Sequence, residues 1–306
     1  MELRERVRGC LLGLAVGDAV GTTVEFRPRG TFAPLTDLVG GGPFRLQPGE
    51  WTDDTSMALC LAMSLLETGG FDPVDQMERY CRWYRHGYLS STGQCFDIGT
   101  TTAQALRQYE ITGEPFSGSD HPRSAGNGCL MRLAPVPLFY FPDRDRLVHW
   151  AGESSRTTHG AAECVQASRL FAELLYRALA GMTKAAILQP LDAAAIAGLA
   201  LHSPQLQAIA AGTYQTKPRE DIRGTGYVVE SLEAAVWCFA TTDTFAAAIL
   251  TAANLGDDAD TTAAICGQLA GAYYGASSIP ASWLSRLTWG DQITAIADQL
   301  HDTIPA

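Results

Sequence analysis

Charged side chains, and basic ones above all, are scarce in this 306-residue chain. Asp, Glu, Lys and Arg make up 18% of the residues, and the formal net charge is −11 at pH 7. Such a chain lacks the basic surface on which nucleic acids and anionic membranes bind. The hydrophobic content of 46% excludes a disordered protein and predicts a thick buried core. We therefore expect a folded protein whose partners include neither a membrane nor nucleic acid.

The sequence also lacks the usual signs of secretion, disulfide bonding or membrane insertion. Its eight cysteines include no Cys-x-x-Cys pair, and their spacing suits neither a zinc site nor a disulfide framework. Residues 1–8 alternate in charge, and no apolar stretch with a small-residue cleavage site comes after them, so we expect no signal peptide. The longest apolar stretch, 234–253, is interrupted by Asp243 among three threonines, which favours two buried helices over a membrane span. These absences predict a cytoplasmic protein with reduced cysteines.

Apolar residues recur with helical spacing along most of the chain. Leu3, Val7 and Leu11 share one helix face, and residues 57–66 are apolar nearly all round, as in a buried core helix. Further helices are predicted over 72–86, 98–109, 144–154, 160–180, 192–212, 227–240, 244–253, 261–275 and 291–301. No segment shows the sustained alternation of a strand, and no linker separates two halves. The pattern predicts an all-α fold of a dozen or so helices, forming one compact domain over residues 1–306.

Two rows of glycines spaced by four residues fall inside helical patterns; they are Gly13, Gly17 and Gly21, and Gly267, Gly271 and Gly275. Glycine inside a helix costs about 1 kcal/mol relative to alanine, so a row on one face needs a reason. We expect both rows to lie at close helix contacts in the interior. An approach of the same helices to a ligand is compatible with that packing.

Two acidic clusters each open an apolar helix. The first contains Thr52, Asp53 and Asp54, and the second contains Asp257, Asp258, Asp260 and Thr261. Helix capping explains one or two such acids per helix, but five carboxylates beside apolar helices call for a cation. Carboxylate and hydroxyl oxygens suit Mg²⁺, Mn²⁺ or Ca²⁺, and two such ions could lie about 4 Å apart. Because residues two apart point the same way in extended chain, Asp258 and Asp260 are expected to converge just before their helix. Spacing alone leaves both capping and metal binding open.

Further motifs join the acidic clusters in a characteristic order. They are Gly17-Asp18-Ala19-Val20-Gly21, Glu25, Trp51-Thr52-Asp53-Asp54-Thr55, Asp97-Ile98-Gly99, Gly126-Asn127-Gly128-Cys129-Leu130-Met131-Arg132, Thr157-Thr158-His159, Gly226-Tyr227 and Asn254-Leu255-Gly256-Asp257-Asp258-Ala259-Asp260-Thr261-Thr262. This set resembles the ADP-ribosylglycohydrolase family, and within it the arginine-specific branch of the bacterial dinitrogenase reductase-activating glycohydrolase. One departure is Asp257, which stands where many members have a second glycine.

The resemblance implies an all-α fold with a two-ion Mg²⁺ or Mn²⁺ centre at the base of an ADP-ribose cleft. It implies that the metal ligands are Thr52, Asp53, Asp54, Asp258, Asp260 and Thr261. Glu25 at the mouth of the metal site and Asp97 near the scissile ribose are the implied catalytic residues. The implied substrate-binding residues are Gly99, Asn127, Gly128, His159 and Tyr227. We interpret Asp18 as a residue that supports the site without binding metal.

The implied activity is metal-dependent hydrolysis that removes mono-ADP-ribose from a modified protein, with arginine as the expected attachment point and ADP-ribose as the product. Hydrolysis of serine-linked or nucleic-acid-linked ADP-ribose, or binding of ADP-ribose without hydrolysis, stay open as alternatives. A terpenoid synthase does not fit, because neither cluster has Asp at its first, second and fifth helical positions. A His-Asp phosphohydrolase does not fit either, because the one adjacent pair, His301-Asp302, lies at the end of the chain.

Overall fold

A computed structural model describes residues 1–304, which form helices and loops without a β-sheet. The α-helices of this part of the chain are α1 (Leu3–Gly21), α2 (Asp53–Thr68), α3 (Pro73–His86), α4 (Thr100–Thr112), α5 (Gly128–Met131), α6 (Pro135–Tyr140), α7 (Arg144–Arg156), α8 (Ala162–Leu179), α9 (Lys184–Ile187), α10 (Ala193–Gly198), α11 (Pro204–Ala210), α12 (Val228–Ala240), α13 (Phe245–Ala253), α14 (Ala259–Tyr274), α15 (Ala281–Leu284) and α16 (Gly290–Asp302). Short 3₁₀ helices cover Thr22–Val24, Pro122–Ser124, Thr213–Thr216, Arg219–Asp221 and Ala276–Ser278. The predicted all-α fold is confirmed, with more short helices than the sequence indicated.

Helices α1 and α14 pack against each other at the centre of the core. A Cβ atom added to Gly13 would lie 2.2 Å from the carbonyl oxygen of Gly267, and one added to Gly17 would lie 2.2 Å from that of Ala263. Only glycine permits this approach, so the predicted interior contact is confirmed for these positions. Gly275 is also buried and packs against α1, with its carbonyl carbon 2.8 Å from a Cβ added to Gly9, but it lies just beyond the end of α14 with φ +82°.

The apolar stretch 234–253 forms parts of two helices, as predicted, because α12 ends at Ala240 and the Thr244 side chain caps α13. The described segment with the length and apolar composition of a membrane span is instead Leu3–Val24, which contains α1. In that segment, 89% of the apolar window is buried inside the protein, as in a core helix.

Two predicted helices have different bounds in the structure, and both differences have local causes. The region 192–212 forms α10 and α11 rather than one helix, because Ala200 has φ +53° and Pro204 is tolerated only in the first turn of a helix. The helix predicted over 98–109 begins at Thr100, because Gly99, directly before it, has an extended backbone with φ −63° and ψ 148°. The later start leaves Asp97, Ile98 and Gly99 in a loop at the edge of a cavity.

Candidate active site

The ends of several helices enclose a cavity of about 350 Å³, lined by polar and apolar groups in nearly equal measure. Its lining residues are Glu25, Phe26, Asp53, Asp97, Ile98, Gly99, Thr100, Thr101, Thr102, Gly126, Asn127, Gly128, Met131, His159, Gly226, Asp258, Asp260 and Thr261. Ten of the residues predicted for the site are among them. Thr52 and Asp54 lie buried at the start of α2, outside the lining, and Tyr227 also lies outside it.

The first acidic cluster is held in place by Asp18, near the end of α1. One carboxylate oxygen of Asp18 accepts hydrogen bonds from the Thr52 amide and hydroxyl, each 2.9 Å long. The other accepts from the Thr55 amide at 3.1 Å and the Thr55 hydroxyl at 2.6 Å. Burial raises the pKa of Asp18 to about 6, and these four hydrogen bonds favour its charged form against that effect. Asp18 therefore fixes the first turn of α2, which carries Asp53 and Asp54.

The second acidic cluster lies at the start of α14 and contacts the first. Asp258 precedes the helix and accepts a 2.7 Å hydrogen bond from the Asn127 side-chain amide. The Thr261 hydroxyl, in the first turn, donates to Asp54 at 3.3 Å. The expectation that Asp258 and Asp260 both precede the helix is wrong, because α14 begins at Ala259 and places Asp260 in its first turn.

Three carboxylates from separate parts of the chain meet at one point of the cavity. A ligand oxygen from each of Glu25, Asp97 and Asp260 lies within 4.8 Å of the other two. Burial and the Asp97 charge raise the pKa of Glu25 to about 9, and burial raises that of Asp97 to about 7. Burial and the Glu25 charge hold the pKa of Asp260 well above its usual range. The structure thus brings a predicted metal ligand together with both predicted catalytic residues.

These oxygens have the chemistry of a binding site for a hard divalent cation. Glu25 Oε2 and Asp54 Oδ2 are buried and have no hydrogen-bond partner. No Lys or Arg is among the described residues that line the cavity. Unpaired carboxylate oxygens are costly to bury unless a positive charge faces them. Carboxylates together with the Thr261 hydroxyl match the oxygen donors that Mg²⁺ and Mn²⁺ prefer, so this acidic cluster could bind metal.

The opposite side of the cavity is formed by a glycine-rich loop and a buried histidine. The Asn127 amide donates a 3.1 Å hydrogen bond to the Gly226 carbonyl, which holds the loop against the segment before α12. A Cβ atom on Gly128 would lie 2.7 Å from His159 Cε1, so the close packing there requires glycine. Burial lowers the pKa of His159 to about 3, and its Nδ1 shares a 2.8 Å hydrogen bond with Thr158. The imidazole is therefore neutral at physiological pH.

Two residues that the sequence singled out lie away from the carboxylates. The Tyr227 hydroxyl donates a 2.7 Å hydrogen bond to Glu163. Asp257 has φ +55°, and its backbone exchanges hydrogen bonds with the Phe26 amide at 2.7 Å and the Arg27 carbonyl at 2.9 Å. Its side chain does not line the cavity, although its charge adds to burial in raising the pKa of Asp258.

Sequence reasoning missed several residues that line the cavity: Phe26, Ile98, Thr100, Thr101, Thr102 and Met131. The threonines follow Gly99, and a polar run after a motif residue is a weak signal that could have indicated them. Nothing in the local pattern indicated Phe26, whose place depends on an unusual backbone conformation with φ +61°.

Comparison with known proteins agrees with this fold and shows the family. The family model for ADP-ribosylglycohydrolase matches residues 1–306. The chain is 45% identical over 308 residues to the ADP-ribosylarginine hydrolase Tri1 of Serratia proteamaculans (strain 568), covering 99% of this chain and 81% of that protein. It is 32% identical over 292 residues to the ADP-ribosyl-[dinitrogen reductase] glycohydrolase of Rhodospirillum rubrum, covering 93% and 91%. A solved structure described as an ADP-ribosylglycohydrolase-related protein complex matches with a TM-score of 0.87 and 45% identity over 99% of both chains.

The all-α fold and the acidic cavity are those of a hydrolase that acts on glycosidic bonds of ADP-ribose. The chain belongs to the ADP-ribosylglycohydrolase family. Its identity to the ADP-ribosylarginine hydrolase exceeds its identity to the dinitrogen reductase glycohydrolase that the motifs first suggested.

Proposed function

We propose that this protein hydrolyses the N-glycosidic bond between mono-ADP-ribose and an arginine side chain of a modified protein, releasing ADP-ribose, and that it requires Mg²⁺ or Mn²⁺. The observation that carries the proposal is the meeting of Glu25, Asp97 and Asp260 in the cavity. The 45% identity to an ADP-ribosylarginine hydrolase over nearly the whole chain supports arginine as the attachment point. Eight free cysteines, six of them buried, support a reducing compartment, and we place the enzyme in the cytoplasm.

We propose that two divalent cations are held by Thr52, Asp53, Asp54, Asp258, Asp260 and Thr261. The hydrogen bond between Thr261 and Asp54, and the unpartnered oxygen of Asp54, support a shared centre between the two helix ends. Glu25 and Asp97 lie close enough to Asp260 to share that centre. Bound cations supply positive charge that offsets the carboxylates and orients the ribose hydroxyls.

The carboxylates account for the chemistry at the anomeric carbon. Cleavage of a glycosidic bond passes through an oxocarbenium-like state, which nearby carboxylates stabilise. Cations held at this centre would favour the charged carboxylates, so Asp97 could take a proton from the attacking water. Guanidine leaves readily only while it stays protonated, and the carboxylate of Glu25 or Asp97 could hold that charge. The roles of both residues follow from their position beside Asp260.

The other side of the cavity provides the binding groups for the ADP part of the substrate. We propose that the backbone amides around Gly99, Asn127 and Gly128 bind the diphosphate, and that the neutral His159 contributes a hydrogen bond. The absence of side-chain cations among the described lining residues supports recognition through backbone groups. Tyr227 supports this loop through its backbone bridge to Gly126, while its hydroxyl donates a hydrogen bond to Glu163.

A substrate panel tests the proposal. Release of ADP-ribose is measured from arginine-linked, serine-linked and nucleic-acid-linked substrates, with Mn²⁺ and with Mg²⁺. We expect the highest kcat/KM for the arginine-linked peptide and at least a hundredfold loss in Asp97→Asn, in the range of a missing acid–base group. Asp291→Asn, on the distant helix α16, is the matched control and keeps wild-type rates. A higher kcat/KM for the serine-linked substrate would reject the arginine assignment, and binding of ADP-ribose without turnover would reject the enzymatic one.

A further inference from the structure

Phe26 is an exposed aromatic residue at the edge of the catalytic cavity. Its relative exposure is 65%, although it lines the cavity and directly follows Glu25. Its backbone has φ +61°, a conformation that bulky residues rarely adopt. A 2.7 Å hydrogen bond from the Phe26 amide to the Asp257 carbonyl holds this conformation. The loop therefore keeps a large apolar ring exposed to solvent beside the carboxylates.

Two further aromatic rings support Phe26. Its ring centroid lies 6.3 Å from that of Phe44, in an edge-to-face arrangement. The Phe44 centroid lies 5.2 Å from that of Phe96, and Phe96 directly precedes Asp97. Phe26 and Phe96 are thus the sequence neighbours of Glu25 and Asp97, the two proposed catalytic carboxylates. Of the three rings, Phe26 lines the cavity, and Phe44 and Phe96 pack behind it.

Phe26 differs from two other phenylalanine rings in whether an arginine of the protein lies over the ring. Arg27 lies over the Phe32 ring at 5.5 Å, and Arg156 lies over the Phe116 ring at 4.5 Å. Among residues 1–304, no Arg or Lys lies over Phe26. The protein therefore pairs two comparable rings with its own guanidinium groups and leaves the one at the cavity edge without such a partner.

We propose that Phe26, supported by Phe44 and Phe96, determines specificity for arginine by stacking on the guanidinium group of the modified side chain. The inference rests on the proposed function. With the ADP part against the Gly126–Gly128 loop and the anomeric carbon at the carboxylates, the leaving group lies toward Phe26. A guanidinium is planar, cationic and weakly hydrated, so an aromatic face next to acidic groups binds it well. The side chain of a serine-linked substrate offers no such cation.

The test compares Phe26→Leu and Phe26→Tyr with Phe32→Leu, a control in the same loop that does not line the cavity. Four quantities are measured: kcat and KM for an ADP-ribosylarginine peptide, Kd for ADP-ribose, and inhibition by agmatine against N-carbamoylputrescine, in which a neutral urea replaces the guanidinium group. We expect Phe26→Leu to raise KM by roughly five- to tenfold, in the range of a cation–π contact. Agmatine inhibition should weaken in parallel, while Kd for ADP-ribose stays within about twofold. Phe26→Tyr and Phe32→Leu should keep the wild-type KM.

The remaining outcomes contradict the proposed role of Phe26, either alone or together with the proposed function. An unchanged KM in Phe26→Leu, with the wild-type protein active on the arginine-linked peptide, rejects the role of Phe26 and leaves the proposed function standing. A parallel loss of ADP-ribose affinity or of thermal stability in Phe26→Leu rejects it as well, because the ring would then be structural. Phe26→Met, an unbranched and flexible apolar side chain, repeats that comparison. Equal inhibition by agmatine and its urea analogue also rejects it. A wild-type protein inactive on the arginine-linked peptide rejects both.

Discussion

Asp18 illustrates, at the residue scale, how a carboxylate that binds no substrate can control the site. It accepts hydrogen bonds from two buried amides and two buried hydroxyls at the start of α2. We expect Asp18→Ala to lower the free energy of unfolding by roughly 2–4 kcal/mol, because those donors lose their acceptor inside the protein. Urea unfolding in saturating Mn²⁺ measures the change. An unfolding free energy equal to that of the wild type would show that the hydrogen bonds do not hold the helix.

Asp257 and Asp258 are adjacent acids with different expected roles. Asp258→Ala and Asp54→Ala should abolish Mn²⁺ binding, because each removes a proposed ligand. Asp257→Gly should keep wild-type Mn²⁺ affinity and change stability by less than about 1 kcal/mol, since glycine adopts φ +55° without strain but adds disorder to the unfolded chain. Isothermal titration with Mn²⁺ compares the three variants. Unchanged affinity in both alanine variants would contradict the proposed ligand set.

The two acidic clusters could be predicted from the sequence, because their members lie side by side in the chain. The meeting of Glu25, Asp97 and Asp260 could not be predicted from spacing, because only the tertiary fold brings together the loop after α1, the loop before α4 and the first turn of α14. The resemblance supplied Glu25 and Asp97 as candidates. It supplied neither their distances nor the exposed ring of Phe26.

At the scale of helices, the contact between α1 and α14 sets the position of the site. Gly13→Ala would place a Cβ atom 2.2 Å from the Gly267 carbonyl, so the helices must separate. We expect a loss of roughly 1–3 kcal/mol or more, as in other overpacked cores. Gly198→Ala in α10 is the matched control, since no atom lies within 4 Å of the added Cβ, and it should be neutral or stabilising. Urea denaturation tests both, and equal stability of the two variants would contradict the packing account.

Helical periodicity predicted most of the long elements because one face of each is buried. It failed where local backbone conformation decided the outcome. Ala200, with φ +53°, separates α10 from α11, and the extended backbone of Gly99 delays the start of α4. Backbone conformation at such positions is set by tertiary contacts and has no periodic signature. The later start of α4 leaves Ile98 and Gly99 beside Asp97 in the loop at the cavity edge.

For the whole molecule, the pKa values of the site predict how stability depends on pH. Those of Glu25, about 9, and Asp97, about 7, lie above the ordinary values near 4 for unfolded carboxyl groups. Between about pH 4 and pH 9, the cation-free folded protein therefore binds more protons than the unfolded chain. That contribution to stability is complete below about pH 4 and is lost as the pH rises through 7 and 9.

We therefore expect the Tm of the cation-free protein to fall between pH 6 and pH 9. Added Mn²⁺ should raise Tm more at pH 8.5 than at pH 6, because binding requires deprotonated carboxylates. Differential scanning calorimetry with and without Mn²⁺ measures the Tm at each pH and the rise in Tm that Mn²⁺ causes. Both should depend less on pH in Asp260→Asn. A Tm that rises with pH in the absence of cations, or a Mn²⁺ effect independent of pH, would contradict this account of the cluster.

The central claim is that this chain is a divalent-cation-dependent ADP-ribosylarginine hydrolase whose reaction takes place at the acidic cluster. It is tested most directly by the rate of ADP-ribose release from an ADP-ribosylarginine peptide, after chelation and during stepwise return of Mn²⁺ or Mg²⁺. The account predicts negligible release without the cation, recovery of the full rate as the cation returns, and no recovery in Asp260→Asn. Undiminished release by the chelated wild-type protein, or no release at any cation concentration, would contradict it.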